Sequence, residues 1–194
     1  MYDENMSGLV ITIIILAILI VAVLWVIGVY NNLVSLRNRV GNGWAQIDVQ
    51  LKQRSDLIPN LVNTVKGYAA HESNVFVQVT QARSAVKAAE ESGNIAQRMD
   101  AENALGRAIV NVLAVAEAYP QLQANTNFMD LQNQLKTLEE KIAYSRQFYN
   151  DVALKMNNAV EIFPNNIVAG IFHFEKAEYF KVEGADREVP QVQF

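Results

Sequence analysis

Residues 9–30 read LVITIIILAILIVAVLWVIGVY, 22 positions without one charged side chain. A helix rises 1.5 Å per residue, so the run reaches roughly 33 Å, enough to cross a hydrocarbon layer of about 30 Å. It is rich in β-branched residues, but in lipid a helix lets a single segment satisfy its own backbone hydrogen bonds. The reading is a transmembrane helix, its length marked by Leu9, Leu16, Val23 and Tyr30. A secretory signal competes with it, yet such peptides open with a basic region and carry an apolar stretch of only about 7–15 residues. The leader here, MYDENMSG at 1–8, holds Asp3 and Glu4 and no Lys or Arg, so the span is expected to be retained.

On the other flank, Arg37, Arg39, Lys52 and Arg54 follow the span and no basic residue precedes it. The positive-inside bias then puts the following domain in the cytoplasm and the leader outside. The absence of cysteine agrees with a reducing compartment. Residues 31–194 carry all 16 Lys and Arg and 18 of the 20 acids, a formal balance of −2. That charge gives no electrostatic ground for a nucleic-acid partner or for an anionic membrane surface.

Beyond the span the pattern is helical. Leu33, Leu36, Val40, Trp44, Ile47 and Leu51 recur at spacings of 3, 4, 4, 3 and 4, one apolar stripe that starts without a turn signal after the membrane run. Pro59 is expected to kink that helix or restart it. A second helix runs from Ser73, a candidate N-cap, through Val75, Val79, Ala82, Val86 and Ala89. A third covers Met99 to Tyr119. The fourth, Asn127 to Phe163, places Leu131, Leu135, Leu138, Ile142, Tyr149, Val152 and Met156 largely at heptad-like intervals and extends roughly 55 Å. No stretch alternates with period two for long enough to build a sheet. The expected class is all-α: a single N-terminal transmembrane helix followed by an elongated antiparallel helical bundle. The domain plan is a leader at 1–8, a span at 9–30, a bundle at 31–163 and an amphipathic tail at 164–194.

At 117–128 the chain reads EAYPQLQANTNF, where Pro120 ends or bends the third helix and Thr126 or Asn127 caps the next. With WAQIDVQLKQRSDLIPNLVNTVKGYAAHE at 44–72, AENALGRAIVNVLAVAEAYPQLQANTNFMDLQNQL at 101–135 and EEKIAYSRQFYNDVALKMN at 139–157, this corner closely resembles the LemA family of bacterial inner-membrane proteins. The resemblance extends from YNNLV at 30–34 almost to the C-terminus. It implies one N-terminal membrane helix, an N-out topology and a cytoplasmic helical bundle in the inner membrane, with no established enzymatic activity.

The resemblance also marks polar residues as family motifs: Asp48, Arg54, Asp56 and Asn60 on the first segment, Glu102, Asn103 and Glu117 on the third, and Arg146, Tyr149 and Asn150 on the fourth. Arg146 and Asn150, four apart, share a helix face from which the guanidinium can meet Asp56 or Glu117. Such a group either fixes helix register as a buried polar network or binds a ligand. Catalysis has little support. His71 and His173 lie far apart, no cysteine accompanies them, Glu139 and Glu140 read as a charged face, and GNG at 41–43 lacks the strand and lysine of a phosphate loop. No cofactor or metal is expected.

The leading functional reading is a scaffold anchored in the lipid bilayer that forms homo-oligomers and organises the membrane or as yet unidentified membrane or cytoplasmic proteins. The alternative is a membrane-bound signalling or sensory module without catalysis, and an enzyme is third. The tail NNIVAGIFHFEKAEYFKVEGADREVPQVQF at 165–194 is apolar for a free end and must be covered by the chain's own bundle, the inner leaflet or a neighbouring subunit; Glu175, Glu178 and Glu183 against Lys176 and Lys181 disfavour the leaflet, and packing on the chain's own bundle is the expectation for Ile167 to Phe174. Its extended end, with Val192 and Phe194 on one side, is the expected assembly element.

Overall fold

A computed structural model of the chain describes the backbone of residues 2–180 and the side chains of residues 8–180. The elements are α1 (Tyr2–Lys66), α2 (Ser73–Ser92), α3 (Ile95–Glu117), α4 (Pro120–Gln123), α5 (Thr126–Glu161) and α6 (Asn165–Ile171), with no strand among the described residues. The all-α reading holds, with a long apolar N-terminal helix followed by further helices. The assembly residues Val192 and Phe194 lie outside the described residues.

α1 begins within the leader and continues through the apolar run and its amphipathic extension without interruption. From Gly8 to Trp25 every residue is exposed, a stretch that no other part of the described chain covers. Pro59 does not restart the helix. An interior proline costs about 3 kcal/mol, but here it is flanked by Ile58 and Leu61, both fully buried, and their packing holds the segment helical.

The chain divides into two compact units. Among the described residues, one comprises those up to Asn42 with Asp151–Ala177, and the other comprises Gly43–Asn150 with residues 178–180. In the larger unit, α1 supplies Ile58, Leu61 and Val65, α2 supplies Phe76, Val79 and Val86, and α3 supplies Leu105, Ile109 and Val112. Leu122 of α4 and Phe128 and Leu135 of α5 complete this core. The apolar stripes read from the sequence are the ones it buries. Gly93 and Asn94 alone link α2 to α3: Gly93 adopts φ +67°, a left-handed conformation that glycine takes without strain, and the Asn94 carboxamide accepts the Gln97 N–H at 3.0 Å.

The corner at 117–128 is built differently from the expectation. α3 ends at Glu117 and Pro120 opens the short α4. The residue capping α5 is Asn125, whose Oδ1 accepts the Phe128 N–H at 3.0 Å, while Thr126 and Asn127 lie in the first turn and are exposed. A capping carboxamide reaches the N–H three residues ahead, and Asn125 is the residue so placed before buried Phe128. The same side chain donates to the Tyr68 hydroxyl at 3.0 Å, tying the corner to the α1–α2 link. α2, in turn, starts after Glu72 with no side-chain cap, so Ser73 is its first residue and not its cap.

The smaller unit has its own core: Leu33 of α1, Met156 and Ala159 of α5, Val168 and Ala169 of α6, and Phe174 beyond it. Asn157 binds the extended chain at both backbone groups of Ala177, donating to its carbonyl at 3.0 Å and accepting its N–H at 2.7 Å.

Candidate functional site

The apolar stripe of α1 continues past Ile47 and Leu51 to Ile58, Leu61 and Val65, and the position that keeps this spacing between Leu51 and Ile58 is Arg54. An arginine thus stands where a leucine would be expected, 1% exposed. Taking its charge out of water is costly unless the guanidinium is well paired, and here both terminal nitrogens are engaged while Nε is buried with no hydrogen-bond partner among the described residues. Its Nη2 donates to Glu102 Oε2 at 2.7 Å and to the Glu102 backbone carbonyl at 3.1 Å, and its Nη1 donates to Glu139 Oε1 at 2.7 Å. Glu102, on α3, is as deeply buried as its partner, whereas Glu139, on α5, is half-exposed. Gly106, one turn beyond Glu102, leaves room for the group: a Cβ there would sit 3.5 Å from Nη1, and a longer side chain would run into it.

A second cluster centres on Arg98 of α3. Its Nη2 meets Glu90 Oε1 of α2 at 2.6 Å and ion-pairs with Asp48 of α1, and its guanidinium carbon lies 6.0 Å from the Trp44 ring centroid. Trp44 makes an edge-to-face contact with Tyr149 of α5 at 5.9 Å and stacks on Phe180 at 6.4 Å. Arg146 lies over the other partner of this aromatic group, 4.2 Å from the Phe180 centroid. The extended chain is fixed here by polar bonds to its backbone. The Tyr149 hydroxyl donates to the Glu178 carbonyl at 2.8 Å, and Asn150 brackets Phe180 by donating to its carbonyl at 3.0 Å and accepting its N–H at 2.7 Å.

Of the residues singled out in the sequence, Asp48, Arg54, Glu102, Arg146, Tyr149 and Asn150 come together in this unit. Asp56, Asn60 and Glu117 are exposed and Asn103 is half-buried, all four outside the ion pairs described. The expected contact of Arg146 with Asp56 or Glu117 is replaced by its seat on Phe180, because both carboxylates face solvent. Arg98, Glu90, Glu139 and Trp44 were not assigned to the network from sequence. Glu139 had a readable signal: it lies four residues after Leu135 and three before Ile142, on the edge of the buried stripe of α5.

Burial raises the Glu102 pKa above its ordinary value of 4.5, and the Arg54 guanidinium beside it offsets only part of that rise. Burial, and next the nearby Arg54, lower the Arg146 pKa, while burial raises that of Tyr149. A carboxyl whose folded pKa lies above its unfolded one binds its proton more tightly in the folded state. Its contribution to stability is therefore fully present below the ordinary carboxylate range and is lost as pH rises through the folded pKa. Glu102→Gln, which cannot ionise, is expected to lose less stability than the parent chain between acidic and neutral pH. Denaturant titrations across that range check this, and parallel pH profiles would refute it.

A cleft of about 620 Å³ opens beside the Arg98 cluster among α1, α2 and α3. Lys52, Arg83 and Lys87 face it, but so do Asp48, Asp56 and Glu90, so its walls carry both signs of charge. Among the described residues no three histidine, aspartate or glutamate side chains gather as metal ligands. The chemistry of the site is that of charge-assisted hydrogen bonds linking three helices.

The family model described as LemA family matches residues 43–194, well over half of the chain. The chain belongs to the LemA family. Among relatives, magnetosome protein MamQ 2 of Paramagnetospirillum magneticum is 25% identical over 179 residues, covering 80% of this chain and 66% of its own length. Magnetosome protein MamQ of Magnetospirillum gryphiswaldense is 24% identical, covering 78% of this chain and 64% of its own length. Protein LemA of Metamycoplasma hominis is 21% identical, covering 83% and 73%. The chain thus spans just under two thirds of the magnetosome relatives' length. The matched LemA region contains the whole Arg54–Glu102–Glu139 group, the Arg98 cluster and the Trp44–Tyr149–Phe180 aromatic contacts.

Proposed function

We propose that this LemA-family chain is a non-catalytic, membrane-anchored structural protein that self-associates and organises membrane or partner proteins. The observation that carries the reading is α1 itself: a charge-free segment of membrane-spanning length, exposed from Gly8 to Trp25, that continues as helix to Lys66, where Ile58, Leu61 and Val65 enter a helical core. The buried ionic group supports it from the other side, since Arg54 and Glu102 are occupied with each other and leave no free nucleophile–base pair. Self-association finds support in exposed apolar residues on the α5 surface, Tyr144 and Phe148. Two of the relatives are named as magnetosome proteins, which is in keeping with an organising role.

The orientation proposed is N-terminus out and helical domain in the cytoplasm, at a bacterial inner membrane. Arg37 and Arg39, both exposed just beyond the span, supply the charge bias, and Lys52 adds to it. Light scattering on the detergent-solubilised full-length chain is expected to find several copies per particle, and a cytoplasmic reporter fused after Phe194 is expected to be active. A strict monomer removes the scaffold reading, and an inactive reporter with an accessible one at the other face reverses the topology.

A further inference from the structure

The smaller unit exposes a second apolar surface. Between α5 and the end of α6 the chain reads IFPNNIVAGIF at 162–172, with no charged residue. α6 is two-faced. Val168 and Ala169 turn into the core with Leu33 and Met156, while Ile167 and Ile171, four apart and so on one face, are exposed, the latter 64%. Phe163, 74% exposed, and Phe172 extend the same surface on either side of the helix. α6 ends by a Schellman pattern: the Phe174 N–H reaches the Ala169 carbonyl at 2.9 Å and the His173 N–H the Gly170 carbonyl at 3.4 Å, with His173 left-handed at φ +55°. That turn sends Phe174 back into the core and leaves Phe172 outside.

The place of this surface on α1 identifies what covers it. Tyr30 packs edge-to-face on Phe172 at 4.8 Å and on Phe174 at 5.7 Å, and Val26 and Val29 pack on the same core. These α1 residues belong to the last turn of the charge-free run. We propose that the α5–α6 turn and α6 form a monotopic membrane wedge, inserting Phe163, Ile167, Ile171 and Phe172 into the lipid leaflet beside the C-terminal end of the transmembrane helix. From Val26 to Tyr30 is about 6 Å along a helix, which matches the roughly 5–10 Å to which interfacial helices bury an apolar face. At that depth the surrounding medium is lipid, which a soluble partner does not enter. The polar border suits the same position: Arg37, against the Phe174 ring at 5.3 Å, and Lys176, ion-paired with Glu161, stand at the edge where headgroups lie. The expectation of own-bundle packing holds for Val168 and Phe174 and not for Ile167, Ile171 and Phe172, and the leaflet, disfavoured on charge, receives these by apolar contact that needs no anionic lipid.

The inference rests on the membrane-anchor reading, and the test separates the two. The chain has no cysteine, so single cysteines carry nitroxide labels without background. Phe163→Cys, Ile171→Cys, Ile15→Cys in the apolar run and Gln81→Cys on the exposed face of α2 are each reconstituted as the full chain in phosphatidylcholine vesicles. Relative accessibility to oxygen and to a water-soluble nickel chelate is then measured. The expected result is an oxygen-to-nickel ratio several-fold higher at positions 163 and 171 than at 81, with position 15 higher still. Nickel access at 163 and 171 with a lipid signature at 15 overturns the wedge alone, and an aqueous signature at 15 overturns the anchor beneath it. Spin–spin broadening at 163 or 171, absent on dilution with unlabelled chain, overturns the wedge in favour of a contact between copies.

Discussion

Replacing Arg54 with alanine is expected to lower the stability of the helical domain by about 3–5 kcal/mol, because Glu102 is left as an unpaired buried carboxylate. For a chain of this size each kcal/mol shifts the melting midpoint by roughly 2–4 °C, so a loss on the order of 10 °C should appear in thermal circular dichroism. Arg146→Ala, which removes a contact with the Phe180 ring, is expected to cost only about 0.5–2 kcal/mol. The double replacement Arg54→Met with Glu102→Leu removes both charges together and should recover most of the loss, since apolar residues of similar volume often substitute for a buried ion pair at little cost. A drop of less than about 1 kcal/mol for Arg54→Ala, well short of the range for a broken buried pair, would show that water reaches the pair and screens it.

The second large effect concerns anchoring. Leu16 and Ile20 are exposed, four residues apart and central in the apolar run. Arginine at the centre of a membrane helix costs about 2.5–3.5 kcal/mol, so Leu16→Arg with Ile20→Arg together cost roughly 5–7 kcal/mol of insertion free energy. The double variant is expected to leave the membrane fraction under alkaline carbonate, which also strips peripherally held chains. The helical signal of the larger unit should persist, because none of its core residues is touched. Retention of the variant in carbonate-washed membranes would contradict a spanning α1.

What sequence could and could not reveal follows from what periodicity encodes. α2, α3 and α5 lie within a few residues of their expected limits, because each buries a continuous stripe such as Val79, Val86 and Ala89 or Leu135, Ile142 and Tyr149. The membrane-length run was legible because one composition filled it. Spacing places a residue on a face of its own helix and says nothing of which residue on another helix lies opposite. Arg146 therefore looked like the pivot, while the pivot is Arg54, whose location on the buried stripe of α1 was available and whose partners were not. Glu139 and Glu140 were read as a charged face, and Glu139 is indeed half-exposed, but its position on the edge of the α5 stripe also lets it reach Arg54, a partner that spacing alone does not reveal. The absence of a restart at Pro59 and the Asn125 cap share a reason: local rules give the cost of a proline or the choice among several polar caps, and packing at Ile58, Leu61 and Phe128 decided both.

Arg54 belongs to α1, Glu102 to α3 and Glu139 to α5, and one planar group holds all three. Local opening of a protein is cheap where a segment can leave without stranding anything behind it. Here no one of these helices can peel away at this level without exposing the remaining charges to an apolar interior or breaking a charge-assisted bond. The three are thereby coupled into one cooperative opening unit, in which the middle of α1 unfolds with its neighbours or stays folded with them. Arg54 thereby ties α1 to α3 and α5 within the larger unit, and this side chain sets how the three helices open together as well as how their charges pair.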